Sequence, residues 1–152
     1  FYVLRFDDTK LTPEFIPFPF GPDSAGRLRI TLEPSLTSPE TGSVNRGYLE
    51  GPTKIIVNLF DGGARDSVWA SIDGSGKELM TYTIRTDPFA EAQYAKFLDS
   101  DDAYPAPVRS AHIWEHPLPT ALDDGLHSIV ITSEDEFGQT QQGTFTFEIL
   151  EN

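Results

Sequence analysis

Short runs of alternating apolar and polar side chains, separated by turn residues, recur along most of the 152-residue chain. Leu28, Ile30 and Leu32 interleave with Arg27, Arg29 and Thr31, which describes a half-buried strand over residues 27–33. Phe1 to Phe6 reads as extended and stops at Asp7-Asp8. The stretch between these runs carries Pro13, Pro17, Pro19 and Pro22. Because proline donates no ladder hydrogen bond, that stretch is expected to form an irregular edge and no central strand. Residues 35–52, a linker-like run rich in Ser, Thr, Pro, Gly and Glu, are expected to form a long loop.

Lys54 to Phe60 reads as a strand, and Asp61-Gly62-Gly63 is expected to turn it directly into a second one over Ser67 to Ile72. There Val68, Ala70 and Ile72 share one face and leave Trp69 on the other. Asp73-Gly74-Ser75-Gly76 makes the next turn, with Glu78 to Arg85 returning as one strand. A helix follows over about residues 87–99: Asp87 is a good N-cap, Pro88 suits the first helical position, and Ala90, Tyr94, Phe97 and Leu98 form a stripe able to lie on a sheet. Trp69 is expected to be buried under that helix or in an interdomain contact.

The last third alternates most regularly. Ser110 to His116 is a strand ended by Pro117 and Pro119. Leu126 to Asp135 and Thr140 to Leu150 then form a terminal hairpin, turned at Phe137-Gly138, with His127, Ile129 and Ile131 facing Phe145, Phe147 and Ile149. A glycine, a ring two residues later, alternating aliphatics, Asp135-x-x-Gly138 and a final strand make a pattern common in immunoglobulin-like sandwiches. The expectation is one all-β domain over residues 1–152, an immunoglobulin-like antiparallel β-sandwich with one short helix inserted between strands.

Composition agrees with a sheet protein. Eleven Phe, five Tyr and two Trp against one Met favour strands, and twelve Gly with twelve Pro punctuate many turns. A domain of this length buries roughly 70% of the surface its unfolded chain exposes, so it needs no staples. The net charge of −13 should repel phosphate backbones and anionic membranes, so neither nucleic acid nor membrane insertion is expected. No cysteine is present, which removes thiol chemistry. The start at Phe1-Tyr2-Val3-Leu4 shows no basic region followed by a long apolar run and reads as a piece of a longer chain.

One string suggests a metal. His112-Ile113-Trp114-Glu115-His116 fits H-x-x-E-H, a zinc-peptidase signature that requires a helix to bring both imidazoles to one ion. The flanking prolines place it in a strand, where the two rings stand roughly 13 Å apart. His112 and Trp114 are therefore expected to anchor a strand, and His127 to be a packed ring with one hydrogen bond. Acidic pairs at Asp7-Asp8, Asp99 to Asp102 and Asp123-Asp124, with the Asp73-Gly74 turn, lack the spacing of a calcium loop and read as turn chemistry. No phosphate-binding glycine loop and no G-x-S-x-G occurs, so no catalytic, metal or cofactor residue is expected. Trp69, Tyr48 or Tyr104 could stack on a sugar, which makes a carbohydrate or surface ligand the second reading and a free-standing hydrolase the third.

Several segments resemble, in order, the C-terminal domain found behind the catalytic domain of bacterial calcineurin-like metallophosphoesterases. They are the strands at Lys54 to Asn58 and Ser71 to Gly74, the helix start Arg85-Thr86-Asp87-Pro88, and the strand Ser110 to Trp114. Leu118-Pro119, Leu122, Gly125-Leu126-His127 and Asp135-Glu136-Phe137-Gly138 follow, while residues 1–53 match only loosely. The resemblance implies an accessory sandwich that packs against or orients the catalytic domain of the same polypeptide, in a protein that is periplasmic or secreted. It carries no catalytic residue across, because Asp-x-His, Gly-Asp, Gly-Asn-His-Asp/Glu and His-x-His are all absent. Trp69, His112, Trp114, His127, Asp135 and Gly138 are then its structural or interface candidates.

Overall fold

The structure is a computed structural model that describes residues 2–7, 10–15, 27–33, 43–45, 53–96, 98 and 105–150. Eleven strands and one helix are described: β1 (Tyr2–Asp7), β2 (Lys10–Phe15), β3 (Leu28–Glu33), β4 (Ser43–Asn45), β5 (Lys54–Leu59), β6 (Ser67–Ile72), β7 (Glu78–Leu79), β8 (Thr81–Arg85), α1 (Pro88–Lys96), β9 (Ser110–Pro117), β10 (Gly125–Glu134) and β11 (Thr140–Leu150). One sheet has the order β3-β5-β9-β8 and the other β4-β11-β10-β6-β7. Lettered from β3, the first sheet is ABED and the second adds its edge strands to GFC, which is the immunoglobulin arrangement. Neighbouring strands are antiparallel except β4, which runs parallel to β11.

Alternation sorts the side chains as the chain pattern predicts. Ile55, Val57 and Leu59 of β5 meet Val68, Ala70 and Ile72 of β6, Trp114 of β9, Ile129 and Ile131 of β10, and Phe147 and Ile149 of β11 in one core. The β10–β11 ladder sets His127 opposite Phe147 and Ile129 opposite Phe145. Each of these buried aliphatic and aromatic side chains contributes on the order of 1.5–3 kcal/mol.

Five expectations change. The proline-bearing stretch after Phe6 contains a strand, β2, with Pro13 opposite Leu4. The two-stranded ladder tolerates Pro13 because it has an unpaired side. Residues 43–45 of the expected long loop form β4. Strands β5 and β6 are not hairpin partners, since the turn after β5 carries the chain across to the opposite sheet. Glu78 to Arg85 is not one strand: Met80 is buried, its amide bonds the Val68 carbonyl, and the chain changes sheet there, leaving β7 beside β6 and β8 beside β9.

The helix is the fifth change. Asp87 does cap it, accepting the Phe89 amide at 2.9 Å, but α1 ends at Lys96 and lies against β3, on the sheet opposite Trp69. It is fastened by its first turn. Asp87 Oδ2 accepts from Asn58 Nδ2 at 2.6 Å and from Arg29 at 3.1 Å, and the Arg29 guanidinium sits 3.8 Å over the Phe89 ring. The expected apolar stripe is not the seat: Ala90 and Tyr94 are half-buried, Leu98 is exposed, and Phe97 and Asp99 lie outside the described residues.

Candidate functional site

The H-x-x-E-H string lies along β9, which is extended throughout. Alternation sends His112, Trp114 and His116 to one face and Ile113 and Glu115 to the other. His112 Nδ1 donates to the Gly62 carbonyl at 2.5 Å, and His116 Nε2 stands 3.4 Å from a Glu78 carboxylate oxygen. Between them Trp114 is 1% exposed and meets Tyr82 edge to face, with ring centroids 5.2 Å apart. On the outer face Glu115 accepts from Lys54 at 2.9 Å, and Arg85 pairs with Glu33. Among the described residues no group of three or more His, Asp or Glu is placed to hold a metal ion.

His127 has two partners, where one was expected. Its Nδ1 meets Asp73 Oδ2 at 2.7 Å and its Nε2 meets the Asp123 carbonyl at 2.8 Å, while the ring rests against Phe147. Both partners are acceptors, so both bonds form together only when the ring is an imidazolium. Burial disfavours that cation, but the bond to Asp73, the Asp123 carbonyl and the two negative charges together raise its pKa above the usual value. Burial would raise the Asp73 carboxyl, yet His127 and the Ser128 amide outweigh it and lower that pKa. Asp73 has φ 51°, a left-handed conformation that aspartate tolerates in turns.

Asp135 and Gly138 make the turn between β10 and β11. Asp135 Oδ1 accepts the amides of Phe137 at 2.9 Å and Gln139 at 2.8 Å, while Gly138 adopts φ 79°. Trp69 is half-buried on the outer face of β6, opposite Leu79 and Thr132 of the neighbouring strands. Tyr48, Tyr104 and the acidic run from Asp99 to Asp102 lie outside the described residues.

A concavity at one end of the sandwich was not anticipated. A cleft of about 340 Å³ opens at one end of the sandwich, between the β5–β6 loop and the β10–β11 turn. Asp61, Asp66, Asp135 and Glu136 line it together with Arg27 and Arg65. Arg65 is paired with Glu136 at 2.8 Å. Asp66 Oδ2 accepts the Gly63 amide at 2.9 Å, and Asp61 accepts from Gln141 Nε2 at 3.3 Å. Burial, aided by the charges of Asp135 and Asp61, raises the Asp66 pKa against the pull of the Gly63 amide. Two buried atoms in the lining, Ser133 Oγ and Gln141 Oε1, have no hydrogen-bond partner among the described residues. The sequence signal was the repetition of Asp and Gly in two separate turns, and only the fold brings those turns together.

The sequence model of the family described as C terminal of calcineurin-like phosphoesterase matches residues 1–141. The match takes in the proline-bearing start, beyond the segments at residues 54–138 that carried the resemblance. No curated protein matches the chain.

Proposed function

Since this chain belongs to the family of C-terminal domains of calcineurin-like phosphoesterases, we propose that it is the accessory sandwich of such an enzyme, packing against the catalytic domain of the same polypeptide and supplying no catalytic group. The observation that carries this reading is the β1–β2 hairpin. Among the described residues it shares no ladder with either sheet, and it leaves Leu4, Phe6 and Leu11 exposed. Phe6 stands opposite Leu11, two residues from Leu4, so all three side chains share one face. A lone hairpin is marginally stable in water, and an apolar face on it suits burial against a neighbouring domain.

The chemistry of the histidines supports the non-catalytic part. Two-metal hydrolysis requires ions about 3.5–4 Å apart in a cage of imidazoles and carboxylates. Here His112 is bonded to a backbone carbonyl, His116 lies beside one glutamate and His127 is held by Asp73. Export to the periplasm or beyond is part of the proposal and rests on the family resemblance alone. The sugar-stacking reading gains no support, since Trp69 is half-buried and its companions Tyr48 and Tyr104 are not described.

The test uses the parent polypeptide. Replacing Phe6 and Leu11 together by Ser should lower the melting temperature of the catalytic domain while leaving the melting of the sandwich alone unchanged. Catalytic and C-terminal parts that melt independently, at temperatures unaffected by the double substitution, would overturn the reading.

A further inference from the structure

We infer that the cleft between the β5–β6 loop and the β10–β11 turn receives an arginine side chain of the upstream catalytic domain. The inference rests on the accessory reading and adds the contact that would fix the orientation of the two domains. Its basis is the imbalance of the lining, where four carboxylates face two guanidiniums.

The buried lining atoms without a partner among the described residues are both acceptors. Among the described residues neither the Oγ of Ser133, which is 2% exposed, nor the Gln141 amide oxygen has a partner. Asp61 uses one carboxylate oxygen in its bond to Gln141, while the Asp66 carboxylate accepts from the Gly63 and Glu136 backbone amides. A site rich in acceptors and excess negative charge selects a cation with several donors. Its size is that of an organic group, and no ligand set for a metal ion is present among the described residues. A guanidinium offers five donors in a planar fork and sheds water more readily than an ammonium, which favours arginine over lysine. The raised pKa of Asp66 fits a site short of positive charge.

The source follows from the path of the chain. Strand β3 starts beside Arg27, which lines this cleft, so the chain coming from the β1–β2 hairpin, on which the catalytic domain is proposed to pack, enters the sandwich at the cleft end. A tethered domain there acts at an effective concentration set by the linker, which strengthens even a weak contact.

Hydrogen exchange on the parent enzyme and on this chain alone tests the inference. Amides of residues 61–66 and 135–141 should exchange at least tenfold more slowly in the parent. Asp66→Asn combined with Asp61→Asn should abolish that difference, and Asp66→Asn alone should leave the melting temperature of this chain unchanged or higher, because asparagine still accepts the Gly63 amide. In a titration of this chain, N-acetylarginine amide should shift the same resonances at a several-fold lower concentration than N-acetyllysine amide. Protection confined to other faces of the sandwich would overturn the arginine contact and leave the accessory reading standing. Absence of protection anywhere would remove both. Shifts no larger than sodium chloride produces at equal ionic strength would also overturn the contact.

Discussion

His127 and Asp73 clamp β10 to the turn after β6: the imidazole donates to one carboxylate oxygen while the other accepts the Ser128 amide at 2.8 Å. The carboxylate comes from a residue held at φ 51°, so the clamp also opposes relaxation of that turn. Because the His127 pKa is raised on folding, its contribution to stability is fully present below the unfolded value near 6.5 and is lost as pH rises through the folded value. Asp73 runs the other way. Its lowered pKa gives stability present above about 3.8 and lost as pH falls through the folded value.

The gap in melting temperature between the native chain and His127→Gln should therefore be widest near pH 5 and shrink steadily toward pH 9. Melts across that range measure it directly. A gap that does not change with pH would mean that the ring acts as packing alone.

Asp87 joins three elements through one carboxylate: it caps α1, bonds Asn58 on β5 and pairs with Arg29 on β3. Asp87→Ala removes a cap and leaves the buried Asn58 amide without that acceptor, a combined cost on the order of 2–4 kcal/mol. Asp87→Asn should recover part of it by keeping an acceptor. Denaturant melts distinguish the two variants, and equal stability of Asp87→Ala and the native chain would contradict this account of how the helix is fastened.

These contacts show why some features were readable from the chain and others were not. Strands β6, β10 and β11 declare themselves because each buries one face only, so Val68, Ala70 and Ile72, or His127, Ile129 and Ile131, alternate with polar residues. The break at Met80 leaves no such trace, since a strand that changes sheet still shows its inward side to the same core. The seat of the helix was misread because an apolar stripe predicts burial, whereas α1 is held through Asp87, Arg29 and Phe89 at its first turn. The acidic cleft was hidden for a topological reason: Asp66 meets Asp135 only when β6 pairs with β10, and Asp61 joins them from the loop that crosses between the sheets.

Gly62, in the loop after β5, lies against the core with no room for a side chain. A Cβ there would lie 2.8 Å from Trp114 Cη2 and 2.5 Å from a Leu59 methyl. The Leu59 tip can move, but the indole is held in the core beside Tyr82. Gly62→Ala should cost about 1–3 kcal/mol by overpacking, and Trp114→Ala about 3–5 kcal/mol by leaving a cavity. Combining Gly62→Ala with Trp114→Phe should cost less than the two separate losses added together, because the smaller ring makes room for the methyl. Strict additivity in that double-mutant cycle would rule out the proposed clash.

The histidine pair on β9 bears on whether this chain could perform hydrolysis unaided. Four residues of extended backbone separate His112 from His116 by roughly 13 Å, beyond the span of any single ion's coordination shell. Metal binding at this pair would require β9 to leave the ladder in which Trp114 faces Val57 and Tyr82, and so to expose a tryptophan that is now buried. Calorimetric titration with zinc or manganese should accordingly show no tight binding that His112→Ala and His116→Ala remove. Phosphatase assays of this chain with either metal should stay at background. Turnover that disappears with His116→Ala would require a metal site built from an unfolded β9, and loss of the Trp114 fluorescence of the buried state on adding metal would be its signature.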